Sequence, residues 1–130
     1  MENLEINDFE KDMVLPLLVH NFKIKIKKGF VGKDNAVKSD LICSGISTAL
    51  KAQGQDYSLT AVKLRRLIGV IRQSGYVPAL CSCSKGYYVA STVGELDKCI
   101  ESLSSRISQQ RKVVDALIEQ KKAILTKLNK

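Results

Sequence analysis

Tryptophan is absent and aromatic residues make up 5% of the chain, leaving four tyrosines and three phenylalanines. A stacking platform for single-stranded nucleic acid, which needs flat rings in series, is therefore thinly supplied. Histidine occurs once, at His20, and no Ser-His-Asp grouping, paired-carboxylate motif or phosphate-cradling glycine loop is visible, so an enzyme is not expected. The four cysteines, Cys43, Cys81, Cys83 and Cys99, match no zinc spacing, because Cys81 and Cys83 stand too close and the other two are isolated. No metal or other cofactor is expected on that pattern, and the cysteines read as small apolar residues. Long apolar runs are also missing. The longest, Met13 to Val19, carries Pro16 and falls far short of the ~18 residues a membrane span needs. The first residues are acidic, unlike the basic start of a signal peptide. Reduced thiols, a cytoplasmic location and no membrane partner are the expectations.

What the chain has in excess is positive charge, +8 over 130 residues with a sequence pI near 9.4. Its distribution is uneven. Residues 1–22 hold five acids against Lys11, whereas residues 23–38 hold six lysines against Asp34. Residues 57–94 carry Lys63, Arg65, Arg66, Arg72 and Lys85 with no carboxylate at all. Ordinary solvated faces mix both signs, which lowers self-repulsion. A surface that meets phosphates works better without carboxylates, each of which would repel the ligand.

Hydrophobic spacing gives the elements. Phe9, Met13, Leu17 and Leu18 share one face at helical intervals between Asp8 and about Asn21, with Pro16 either inside this helix or at its first position. Phe22 to Lys27 alternates strictly between apolar residues and lysines, which predicts a strand with a lysine-coated outer face. Gly29, Gly32 and Asp34-Asn35 mark a loop. A second helix is expected from Ser39, as N-cap, to Gly54, burying Ile42, Ile46, Ala49 and Leu50. Ser58 is the next N-cap candidate, and a third helix over 59–74 buries Leu64, Leu67, Ile68 and Ile71 before Gly75 ends it. Two β-prone runs then flank the turn Ser84-Lys85-Gly86, a hairpin over 79–90. Tyr87 and Tyr88 fall on opposite faces, so one belongs to the core. Thr92 and Glu95 form a capping box that opens a last helix.

The fold class expected is therefore mainly α with a small β-hairpin, an α+β arrangement. Residues 1–91 form a winged helix-turn-helix and residues 92–130 one long helix. The run Arg65-Arg66-Leu67-Ile68-Gly69-Val70-Ile71-Arg72-Gln73-Ser74-Gly75, followed by Ser84-Lys85-Gly86-Tyr87-Tyr88-Val89-Ala90, resembles winged-helix proteins of small phages and prophages. More distantly it is similar to the DNA-binding domain of the biotin-operon repressor. The resemblance covers about residues 35–98, and departs from the pattern at Val77-Pro78-Ala79, where a Pro-Ile pair is usual. It implies a DNA partner, with transcription control or replication as the setting. From the residues themselves, two helices joined by a tight turn and followed by a hairpin make helix 59–74 the one expected in the major groove, so Lys63, Arg65, Arg66, Arg72 and Gln73, with Lys85 at the hairpin tip, are the expected nucleic-acid-binding set. On that pattern Arg65 and Arg72 serve equally well to brace the wing.

In the last helix, Leu96, Ile100, Leu103, Ile107, Val114, Leu117, Ile124 and Leu128 follow alternating steps of four and three, a heptad seam interrupted by Gln110 and Lys121. A coiled-coil homodimer is expected from this seam, which would supply two reading heads. The competing arrangement folds the helix back on the first one. The competing function is a protein-protein interaction module that uses the same fold as scaffold.

Overall fold

A computed structural model describes residues 5–128. The chain is helical from Asp8 to Lys27, with a wide turn at Glu10–Val14 leading into helix α1, Leu15–Lys27. Helix α2 spans Ser39–Ala52 and helix α3 Ala61–Ser74. Strands β1, Leu80–Cys83, and β2, Gly86–Val89, pair antiparallel, and helix α4 runs Val93–Leu128. The protein is thus mainly helical, with one two-stranded hairpin and a long C-terminal helix.

The strand expected over 22–27 is instead the end of α1. No helix breaker stands between Pro16 and Gly29, and lysine favours helix, so the pattern of Leu15, Leu18 and Phe22 continues inward. Ile24 and Ile26, which the alternation placed on a core face, are each more than one third exposed. Pro16 sits in the first turn of α1, directly after the wide turn. A π-type turn there accommodates the missing N–H and the ring without ending the helix. It also rotates the helix relative to simple spacing. Val14, Leu15, Leu18 and Phe22 are buried, whereas Phe9, Met13 and Leu17 are only half-buried.

Helix starts differ by small amounts from those expected. Ser39 is the first helical residue of α2, and Lys38, in extended conformation, is its N-cap without a side-chain hydrogen bond. Thr60, not Ser58, caps α3, its hydroxyl accepting from the Lys63 amide at 3.3 Å. This leaves Leu59 outside the helix yet buried, with its N–H donated to Ser47 Oγ at 2.8 Å. Gly75, at φ 75°, closes α3 in the left-handed conformation.

The core joins α1, α2, α3 and the hairpin through Leu18, Phe22, Ile46, Leu50, Leu64, Leu67, Ile68, Ile71, Val77 and Leu80. The hairpin register pairs Cys83 with Gly86, so its turn is the two residues Ser84-Lys85 rather than three. The run 77–79 is not strand, because Pro78-Ala79 turns the chain with Ala79 at φ 61°. Tyr88 is buried and Tyr87 half-buried. On the outer side of β2, Val37 forms an isolated antiparallel bridge to Tyr87. A Cβ at Gly86 would lie 2.0 Å from the Val37 carbonyl oxygen, so only glycine permits this approach.

The chain divides into two compact units, Met1–Leu96 and Asp97–Lys130. The first turn of α4 stays with the first unit through Glu95. Its carboxylate accepts from the Lys33 amide (2.9 Å), the Ser91 amide (2.8 Å) and the Ser91 hydroxyl (3.0 Å), while Thr92 Oγ1 accepts from the Glu95 amide at 3.1 Å. The expected cap at Thr92 is present, but the carboxylate reaches Ser91 and Lys33 instead of the Thr92 amide. Lys33 and Ser91, hydrogen-bonding first, hold that carboxyl below the usual carboxylate range.

Candidate nucleic-acid interface

The 3.6-residue period of α3 sorts its side chains. With Leu64, Leu67, Ile68 and Ile71 in the core, Val62, Arg65, Arg66, Gly69 and Gln73 share the opposite face. Val62, Arg65, Arg66 and Gln73 are exposed, and Gly69, which lacks a side chain, leaves a notch among them. Lys85 is exposed at the hairpin turn. Among the described residues the ion pairs are Arg111–Asp115 and Lys122–Glu119, both in α4, so none engages a cation of 57–94.

The six expected binding residues are not equivalent. Arg65, Arg66 and Gln73 stand on the open face. Arg72 turns to the hairpin, where Nε donates to the Leu80 carbonyl at 2.9 Å and a terminal nitrogen to Ser82 Oγ at 3.2 Å. It braces β1 against α3. Lys63 is half-buried, its ammonium 4.7 Å from the Tyr57 ring centroid and donating to the Ser58 carbonyl at 3.3 Å. It closes the turn between α2 and α3 and stands off the open face.

One acid does approach this region from a distant part of the sequence. Glu10 is buried, and accepts from the Tyr57 hydroxyl at 2.6 Å and from the Asn7 amide at 3.1 Å. Burial pushes its carboxyl up. The Tyr57 and Asn7 hydrogen bonds, with the positive charges of Lys63 and Arg66, outweigh burial and hold it below its ordinary value. Tyr57 responds in the opposite sense, with burial and then the Glu10 bond pushing its hydroxyl well above the usual tyrosine range. Sequence spacing gave no sign of this pair, whose members lie 47 residues apart.

At the other end of the hairpin a polar recess of about 320 Å³ lies between the start of α2 and the turn, lined by Lys38, Ser39, Ser82, Ser84 and Lys85, with Asp40 its one carboxylate. Along α1, Phe22, Ile24, Phe30, Leu41 and Ile42 line an apolar groove of about 490 Å³ bordered by Lys25 and Lys28. All four cysteines are thiols, and among the described residues no group of three or more His, Cys, Asp or Glu is placed to hold a metal. No helix among them is long and apolar enough to cross a membrane.

In α4 the expected seam is exposed from Ile100 through Leu103, Ile107, Val114, Leu117 and Ile124 to Leu128. Leu96 is half-buried and belongs to the first unit. Three further exposed apolar residues, Val113, Ile118 and Leu125, adjoin the seam. They were missed because each lies one position beside a heptad site. No family model matches this chain, and neither a curated protein nor a solved structure matches it.

Proposed function

We propose that this chain is a nucleic-acid-binding protein, a winged helix-turn-helix that docks α3 and the tip of its hairpin on duplex DNA and pairs with a second copy through α4. The observation that carries the reading is the open face of α3. Arg65, Arg66 and Gln73 are exposed there with Val62, and among the described residues no carboxylate forms an ion pair with either arginine. A helix with such side chains fits the major groove, about 12 Å wide, where arginine and glutamine read base edges and an apolar residue meets a thymine methyl. Lys85 extends the same charge to the neighbouring backbone. Arg72 and Lys63 contribute by holding the hairpin and the inter-helix turn in place. Binding rather than catalysis is the role, and the resemblance to small phage and prophage proteins points to transcription control or replication.

The test is a titration of random-sequence duplex DNA at ~50 mM and ~200 mM salt. Binding that weakens steeply with salt is expected, and no binding at the lower salt ends the proposal. A second reading, a protein-interaction module, is favoured by the apolar groove along α1. Replacing Arg65 and Arg66 together separates the two, since unchanged cellular activity supports protein interaction.

A further inference from the structure

We infer that α4 pairs with a second copy of itself as a parallel, in-register, two-stranded coiled coil, an inference that rests on the self-pairing just proposed and gives it an orientation. Three observations on the exposed stripe carry it.

With Ile100 at heptad position a, the a sites are Ile100, Ile107, Val114, Lys121 and Leu128, and the d sites Leu103, Gln110, Leu117 and Ile124. β-Branched residues at a with leucine at d pack best in parallel pairs of two, because the two layers present their Cα–Cβ bonds differently to the partner. The frame places Ile or Val at the first three a sites and Leu at two of the first three d sites.

The residues flanking the seam agree. Val113 falls at g and Ile118 at e, five positions apart, and both are exposed. In a parallel, in-register pair a g side chain meets the e side chain five residues further along the partner. Val113 of each copy then covers Ile118 of the other, on both sides of the Val114 and Leu117 layers. In an antiparallel pair g meets g and e meets e, and this apolar match is lost. Gln110 adds the third point. Its amide donates and accepts, so two copies in one d layer satisfy each other, as a buried polar layer must.

Two features oppose association and give it a signature. Lys121 faces its own copy at an a site, and Arg106 at g faces Arg111 at e of the partner. Arg111 is partly offset by Asp115, 3.4 Å away in its own helix. Like charges across the interface are screened by salt, so self-association tightens as salt rises. Duplex binding has the opposite dependence.

The experiment uses the full chain. Light scattering at ~100 µM protein is expected to give a dimer, and Lys121→Ile to tighten the dimer about tenfold, by removing one charged layer. Leu117→Cys and Val114→Cys are each oxidised alone and as a mixture, with the unaltered chain as baseline for the native thiols. Each variant is expected to cross-link with itself, since d faces d and a faces a. Cross-linking only in the mixture means antiparallel pairing and overturns the orientation while self-association stands. A monomer at every salt concentration overturns the inference together with the self-pairing it rests on. A chain that cross-links as expected but leaves duplex DNA unbound upholds the inference and ends the nucleic-acid reading.

Discussion

Residues 57–94 and residues 97–128 carry nearly the same kind of surplus, both basic, yet they handle it in opposite ways. In the second, lysines and arginines alternate with Asp97, Glu101, Asp115 and Glu119, and two cations close intrahelical ion pairs. Such exposed pairs contribute little stability and mainly keep a bare helix solvated. In the first, acids are excluded from the sequence, and its two internally engaged cations are hydrogen-bonded to or stacked on neutral groups, Arg72 on Leu80 and Ser82 and Lys63 on Ser58 and Tyr57, with the buried Glu10 carboxylate acting on Lys63 and Arg66 only through space. A cation held by a neutral partner keeps its charge visible to a ligand, whereas one held by a carboxylate does not. The contrast teaches that the sign of a segment says less than what its charges lean on.

The largest effect expected falls on the first region alone. Gly86→Ala drives a methyl into the Val37 backbone and should lower stability by about 3 kcal/mol or more, read by denaturant unfolding, because a backbone clash leaves no rotamer to relieve it. The helicity of α4 is expected to persist in that variant, and concerted loss of both regions would break the comparison. Next, Arg65→Ala with Arg66→Ala should weaken duplex binding by about 2 kcal/mol and flatten the salt slope by about two contacts while unfolding is unchanged. Arg72→Ala should do the reverse, costing about 1–2 kcal/mol of stability because the Leu80 carbonyl loses a charged donor. If Arg72→Ala left stability intact and removed binding, the division between bracing and reading cations would be wrong.

A pH experiment sharpens the same division. Glu10 has its carboxyl held below the ordinary value in the folded chain, so it stabilises the fold above the normal carboxylate range and that contribution is lost as pH falls through the lowered value. Tyr57→Phe removes the bond to Glu10 and should cost about 1 kcal/mol near neutrality. Its acid unfolding should begin at higher pH than in the parent chain, and identical acid profiles would show that the pair contributes nothing. The smallest effect is a gain. Ala79→Gly relieves a left-handed residue and should stabilise by about 0.5 kcal/mol, since the strain removed slightly exceeds the extra freedom of the unfolded chain.

Much of the architecture was legible because it rests on local spacing. Leu64, Leu67, Ile68 and Ile71 declare the inward face of α3, Gly75 its end, and the heptad steps the extent of α4. Where two local signals competed, spacing failed. Phe22 to Lys27 satisfies a two-residue alternation and also continues a helix, and the absence of a breaker after Pro16 decided for the helix. The extra residue in the turn at Glu10–Val14 shifts which side chains face inward, and no regular period reveals it. The site was legible in composition but not in roles. What separates Arg72 from Arg65 and Arg66 is a carbonyl on the hairpin. What removes Lys63 from the open face is a tyrosine ring in the preceding turn. What restricts position 86 to glycine is the backbone at Val37. None of these partners is marked by residue type, so only the folded chain shows them.

The single bridge from Val37 to Tyr87 has a consequence for the behaviour of the chain at high concentration. With four residues in β2 and its outer flank met by Val37, that side of the hairpin offers a newcomer almost no length of open amide ladder to extend. Strand-templated fibre growth therefore has no starting edge on that side.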